Sequence, residues 1–187
     1  MAQQSRRKFK QKREKPEFDQ QIADLARVTR VTKGGKQLSF RACVLIGDRR
    51  GRVGYGIQKG KDVQIAVDKA VKQAKKKLLN VPVINETIPH IVAAKFKAGK
   101  VMIKPASKGS GIIAGSVIRT VLEMAGVPNA SAKMLGKTNN KITNIKATFK
   151  ALESFKPSSI RKKSVKNKVE KNTEKIDEKT KEVFTEK

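Results

Sequence analysis

The sequence predicts an α+β chain of two small units, and three observations carry that expectation. Leu38, Phe40, Ala42, Val44 and Ile46 alternate with Ser39, Arg41, Cys43 and Leu45, a strand period of two. Val63, Val67, Ala70, Val71, Ala74 and Leu78 then recur at three- and four-residue spacing, a helix with one buried stripe. After a link at 80–85, a second series of hairpin, helix, strand and helix runs to Phe155. The expected divisions are a basic arm over 1–20, units over 21–84 and 85–158, and a charged tail over 159–187.

In chain order, residues 1–20 lack apolar periodicity and read as a disordered arm. A first strand is expected at about 27–33, turning at Gly34-Gly35, two residues tolerant of positive φ. The second strand covers about 37–47 and turns at Asp48-Arg49-Arg50-Gly51. The third covers 52–59, with Gly54 and Gly56 marking close backbone approach. Together these strands offer enough apolar surface for one packed sheet face. Asp62 is the expected N-cap of a helix to about Leu79. In the second unit, 87–96 and 100–106 form a hairpin around Ala98-Gly99. A helix over 111–125 is apolar nearly all round and is stopped at Gly126-Val127-Pro128. A strand over 130–135 and a helix over 142–155 complete the unit, with Ile142, Ile145, Phe149 and Leu152 inward. The lysine-rich stretch after Pro157 has no core residues and reads as a disordered tail.

Charge narrows the function. Among 187 residues the net charge is +28, and removing residues 1–20 and 156–187 still leaves +19 on the 135 residues between. A folded body this cationic needs a polyanionic partner, with nucleic acid the first candidate. Arg27, Arg30, Lys33, Lys36, Arg49, Arg50, Arg52, Lys59 and Lys61 crowd the stretch from 27 to 61, which contains one acid, Asp48. On the following helix Lys69, Lys72 and Lys76 share an exposed face, read as a phosphate-contact row. Tyr55 between two glycines is a candidate for stacking on a base and equally for the core. With no Trp, one Tyr and seven Phe, the chain lacks an aromatic platform for single strands. Recognition is expected to rest on phosphates and 2′-hydroxyls of folded duplexes.

Other chemistries are poorly supplied. The lone Cys43 excludes a disulfide framework and a CxxC metal site, and reads as a buried core thiol. His90 is the single histidine, and the central acids form no acid–base or metal spacing, so no active site, cofactor or small-molecule substrate is expected. No apolar run approaches the ~18 residues of a membrane span, so no membrane partner is expected. Gly109-Ser110-Gly111-Ile112-Ile113-Ala114-Gly115 has the context of a dinucleotide-binding turn but lacks an acid about 20 residues on. Close packing or a protein contact is the reading taken. Gly136-Lys137-Thr138 lacks the first glycine of a P-loop, Ser131 standing in its place.

Four motifs then converge. Lys33-Gly34-Gly35, Gly51-Arg52-Val53-Gly54-Tyr55-Gly56, Pro105-Ala106 with Gly109 to Gly115, and Val121-Leu122-Glu123-Met124-Ala125-Gly126-Val127 occur in order across about 22–155. This series resembles the bacterial small-subunit ribosomal protein five (S-five) family. The resemblance implies an N-terminal β-β-β-α domain like a double-stranded-RNA-binding domain and a C-terminal βαβ-type domain with an unusual crossover. It implies binding to 16S rRNA at the neck of the small subunit, through a loop corresponding to Arg27 to Lys36 with Gly34 and Gly35 that reaches rRNA near the decoding region and the spectinomycin pocket. It further implies contacts with ribosomal proteins four and eight, a place with proteins three and four at the mRNA entry channel, and a part in decoding accuracy. Gly109, Ser110, Gly111 and Arg119 would face protein four. This chain departs from the family pattern at Gln58, where a glycine is usual, and at Ser110, Lys137 and Asn140. The rival from another class is a free-standing duplex-RNA-binding regulator or chaperone, which a high-salt wash would strip from small subunits.

Overall fold

The computed structural model describes residues 17–155; the arm before them and the tail after them lie outside the described residues. Strands β1 (Asp19–Thr32), β2 (Gly35–Gly47) and β3 (Arg52–Gly60) lead into helix α1 (Val63–Lys75), and β4 (Leu78–Asn80) completes an antiparallel sheet ordered β1-β2-β3-β4. The second unit holds β5 (Val92–Phe96), β6 (Gly99–Pro105), β7 (Ile112–Ile113), α2 (Ser116–Ala125), β8 (Ala130–Met134) and α3 (Lys141–Glu153). Its sheet runs β5-β6-β8-β7, and β7, α2 and β8 form a βαβ unit because β7 and β8 pair in parallel.

Alternate residues of β2 explain the first core. Ala42, Val44 and Ile46 pack on Ala66, Ala70, Val71 and Ala74 of α1, with Phe18 closing the edge. Small residues bring helix and strand close: a Cβ on Gly60, Gly56 or Gly54 would lie 2.7, 2.0 or 2.7 Å from backbone atoms of Ala66, Ala70 and Ala74 respectively. Gly54 and Gly56 thus mark the backbone approach expected of strand glycines.

The sheet is packed on both faces, not on one as the alternation suggested. Cys43, Leu45 and Val53 join a second cluster with Ile88, Ile103, Ile118, Leu122, Ile145 and Leu152 of the C-terminal unit. Burial, then the nearby Asp24 charge, push the Cys43 thiol up to about 11, which keeps it protonated and inert. The turn between β2 and β3 caps α2. Gly126 and Val127 donate to Glu123 and Leu122, while the Arg49 and Gly51 amides donate to the Met124 and Ala125 carbonyls (3.2 and 2.9 Å). All four carbonyls that a helix end leaves open are satisfied, two of them across the seam between the units.

Several expectations move, and the strand expected from 87 begins only at Val92. The first strand begins at Asp19, so the last two residues of the stretch read as an arm belong to the sheet; a register shift between Ile22 and Asp24 bends it. The hairpin turn is centred on Lys33-Gly34, with Gly35 already paired to Thr32. Helix α1 stops at Lys75 because Leu78 to Asn80 pair with β3, and Asp62 occupies the N-cap position without a side-chain cap bond. Helix α2 starts at Ser116, since Ile112 and Ile113 are held by Ala130 and Ser131.

Candidate nucleic-acid interface

Strand pairing places the first group of basic residues. β3 pairs with β2 only from Phe40 onward, so the outer part of β1 and residues 35–39 of β2 project as a two-stranded ribbon. Arg27, Arg30, Lys33 and Lys36 are exposed along it, without an ion pair among the described residues. At its tip Gly35 has φ +129°, and nothing lies within 4 Å of a Cβ built on Gly34 or Gly35. Val31 and Leu38 are 72% and 53% exposed there, apolar surface between cations. Lys59 and Lys61 stand exposed near the ribbon's base, where Gly60 pairs with Phe40.

The second group lies on α1. Lys69, Lys72 and Lys76 line an open groove of about 490 Å³ together with Lys77, Gln73 and Gln58. Gln73 is fixed by the Ile57 amide, which donates to its Oε1 (2.8 Å). Asp68, four residues before Lys72, accepts from Gln64 (3.4 Å) and forms no ion pair among the described residues. The groove therefore presents four ammonium groups and two amides, the donor set suited to phosphate and 2′-hydroxyl oxygens. Gln73 was not singled out from the sequence, although it stands one helical turn after Lys69 on the same face.

The structure does not bring Arg49, Arg50 and Arg52 to either group. They sit at the opposite end of β2 from the ribbon tip. Arg49 Nε pairs with Asp19 (2.9 Å) and Arg52 Nε with Asp48 (2.6 Å), while Arg52 also reaches Glu17 (3.4 Å) and lies over the Phe18 ring. Burial alone would raise the Asp48 carboxyl, but the Arg52 guanidinium and the Arg50 and Arg52 amides outweigh it and hold it below its ordinary value. Arg50 alone of the three makes no side-chain ion pair among the described residues. The Tyr55 ring rests against Phe149 (centroids 4.6 Å apart), so it is engaged between the units rather than offered to a base.

A third locus joins the glycine turn to α2. Gly109 and Gly111 have φ of +82° and +67°, the Ser110 hydroxyl donates to Ser107, and the Gly111 amide donates to Asn129 (3.0 Å). Arg119 is exposed and donates through Nη2 to the Ile112 carbonyl (3.1 Å). The loop and the arginine named together from the sequence are thus neighbours. Among the described residues no three His, Cys, Asp or Glu gather as metal ligands, and no helix is long and apolar enough to cross a membrane.

Fold and surface define a small, strongly basic protein of two packed α+β units. Comparison with known families makes this specific. The model for "Ribosomal protein S5, N-terminal domain" matches residues 18–82, and that for "Ribosomal protein S5, C-terminal domain" matches residues 94–163. The small ribosomal subunit protein uS5c of Rhodomonas salina is 45% identical over 152 residues, covering 81% of this chain and 90% of the relative. That of Guillardia theta is 46% identical over 144 residues, covering 76% and 85%. The chain belongs to the ribosomal protein S5 family. It is a ribosomal protein with a structural, non-enzymatic role, and rRNA binding is a general property of its family.

Proposed function

We propose that this chain is a structural constituent of the small ribosomal subunit that binds 16S rRNA at the head–body neck. The ribbon and the α1 groove hold phosphates there, and the Gly109 loop with Arg119 faces ribosomal protein four. The carrying observation is that the basic side chains on the ribbon and groove form no ion pair among the described residues, whereas Arg49 and Arg52 are paired with Asp19 and Asp48. Uncompensated lysines on a rigid scaffold repel one another until counter-ions or phosphates neutralise them. The reading includes neighbours eight and three of the same subunit and basic side chains acting on mRNA at the entry channel.

The ribbon gives the first test. Lys33→Glu reverses a charge at an exposed tip, beside Gly34 and Gly35, where nothing among the described residues lies within 4 Å of an added Cβ, so folding is unaffected. Incorporation into small subunits falls or spectinomycin sensitivity changes, and the salt slope of rRNA binding drops by about 0.7 to 0.9 for the lost contact. Wild-type incorporation, sensitivity and slope together would remove the ribbon from the interface.

Arg119→Ala tests the accuracy role. Losing about 1 kcal/mol of contact at an interface that opens and closes shifts its ratio roughly fivefold. Stop-codon and missense reporters should show raised misreading with unchanged rRNA affinity. Unaltered error frequency in subunits carrying the variant would separate this locus from decoding.

A further inference from the structure

The C-terminal sheet has one covered face and one bare face. Val92, Val101, Ile103 and Ala130 point toward α2, α3 and the first unit and are buried. The alternate residues point away from α2 and α3. Cross-strand register puts Lys95 opposite Lys100, Ala93 opposite Met102, Met102 opposite Lys133, and Lys104 opposite Ser131. Lys95, Lys100, Lys104 and Lys133 are all exposed, and none forms an ion pair among the described residues.

Among the described residues no acid occupies that face. The acids nearest in sequence lie elsewhere: Glu86 toward Lys108 (3.9 Å), and Glu123 and Glu153 on the helices. Like charges directly opposite on neighbouring strands destabilise a sheet, yet Lys95 and Lys100 are paired in this way. An ordinary solvated face intersperses the two signs. Lysines two strand positions apart are separated by roughly 6.5 to 7 Å and adjacent strands by about 4.8 Å, so the four lysines surround Met102 on one face. A flat face with rotatable donors and no acceptor fits backbone oxygens rather than base edges.

We propose that this outer sheet face, Lys95, Lys100, Lys104 and Lys133 around Met102, is a second RNA-backbone-binding surface, separate from the ribbon and groove. It rests on the reading of the chain as embedded in rRNA and adds the C-terminal unit to the contact. The chain then meets RNA on two sides, the seam between its units acting as a rigid spacer.

Lysine acetylation of the full chain, read residue by residue by mass spectrometry, tests this in three states: free, bound to small-subunit rRNA transcribed in vitro, and within intact subunits. The four lysines should react in the free protein and be protected by rRNA alone. Protection only in intact subunits would mean that a protein covers the face, and reactivity in every state would mean that nothing does; either overturns the proposal. If Lys69, Lys72 and Lys76 are protected while these four are not, the wider reading stands and this one falls. If all seven stay reactive with rRNA, both fall. As a second measurement, Lys100→Ala/Lys104→Ala/Lys133→Ala should lower the log–log salt slope by about 2 to 3 while the thermal midpoint does not fall.

Discussion

Gly126→Ala should lower the stability of the purified chain by about 3 to 4 kcal/mol. Gly126 ends α2 at φ +75°, where an L side chain is strained by about 1 to 2 kcal/mol. A Cβ there would sit 2.0 Å from the Arg49 carbonyl oxygen, which is backbone and cannot rotate away. Relief requires α2 to move off the β2–β3 turn and lose its bonds from the Arg49 and Gly51 amides, each worth about 1 kcal/mol. For a body of this size that is roughly 10 °C of thermal midpoint. Gly109→Ala is the control: φ is +82°, yet nothing lies within 4 Å, so only the conformational strain remains and the midpoint falls by roughly 3 °C. Far-ultraviolet circular dichroism against temperature reads both. Equal midpoints would mean that the seam is not what holds the end of α2.

This seam was the least legible feature of the fold. Ala42 to Ile46 is an unbroken apolar run, which elsewhere marks a strand buried on both faces. The alternation of the longer stretch masked it, because Ser39 and Arg41 share a face with Cys43 and Leu45. Helix α1 and helix α3 were legible because their stripes are local and periodic. The short β4 and β7 were not: Leu78 to Asn80 and Ile112-Ile113 are strands only because Arg52 to Gly54 and Ala130-Ser131 stand beside them. The candidate site divides in the same way. Counting charge found the ribbon and the lysine row, since exposure of consecutive cations needs no distant partner. It also gathered Arg52 and Tyr55, whose fates were decided by Glu17, Phe18 and Phe149 from other parts of the chain.

Replacing the lysine row should have the larger effect on binding. Lys69→Ala/Lys72→Ala/Lys76→Ala keeps α1 intact, since alanine is the best helix former and all three positions are exposed. It leaves Gln73 anchored to Ile57 and the Ala66, Ala70 and Ala74 contacts with the strand glycines unchanged. Each phosphate neutralised contributes about 0.7 to 0.9 to the log–log salt slope, so the triple variant should lose about 2 to 3 from it. Measured from the 1 M limit, where counter-ion release no longer favours binding, this amounts to an affinity loss of about a hundredfold or more at 0.1 M salt. Filter binding of small-subunit rRNA across a salt series reads the slope and the affinity together. A contact with base edges would instead weaken binding with little change of slope and would depend on sequence. A folded triple variant with the wild-type slope would show that the groove faces solvent, and the ribbon and sheet face would then have to hold the RNA without it.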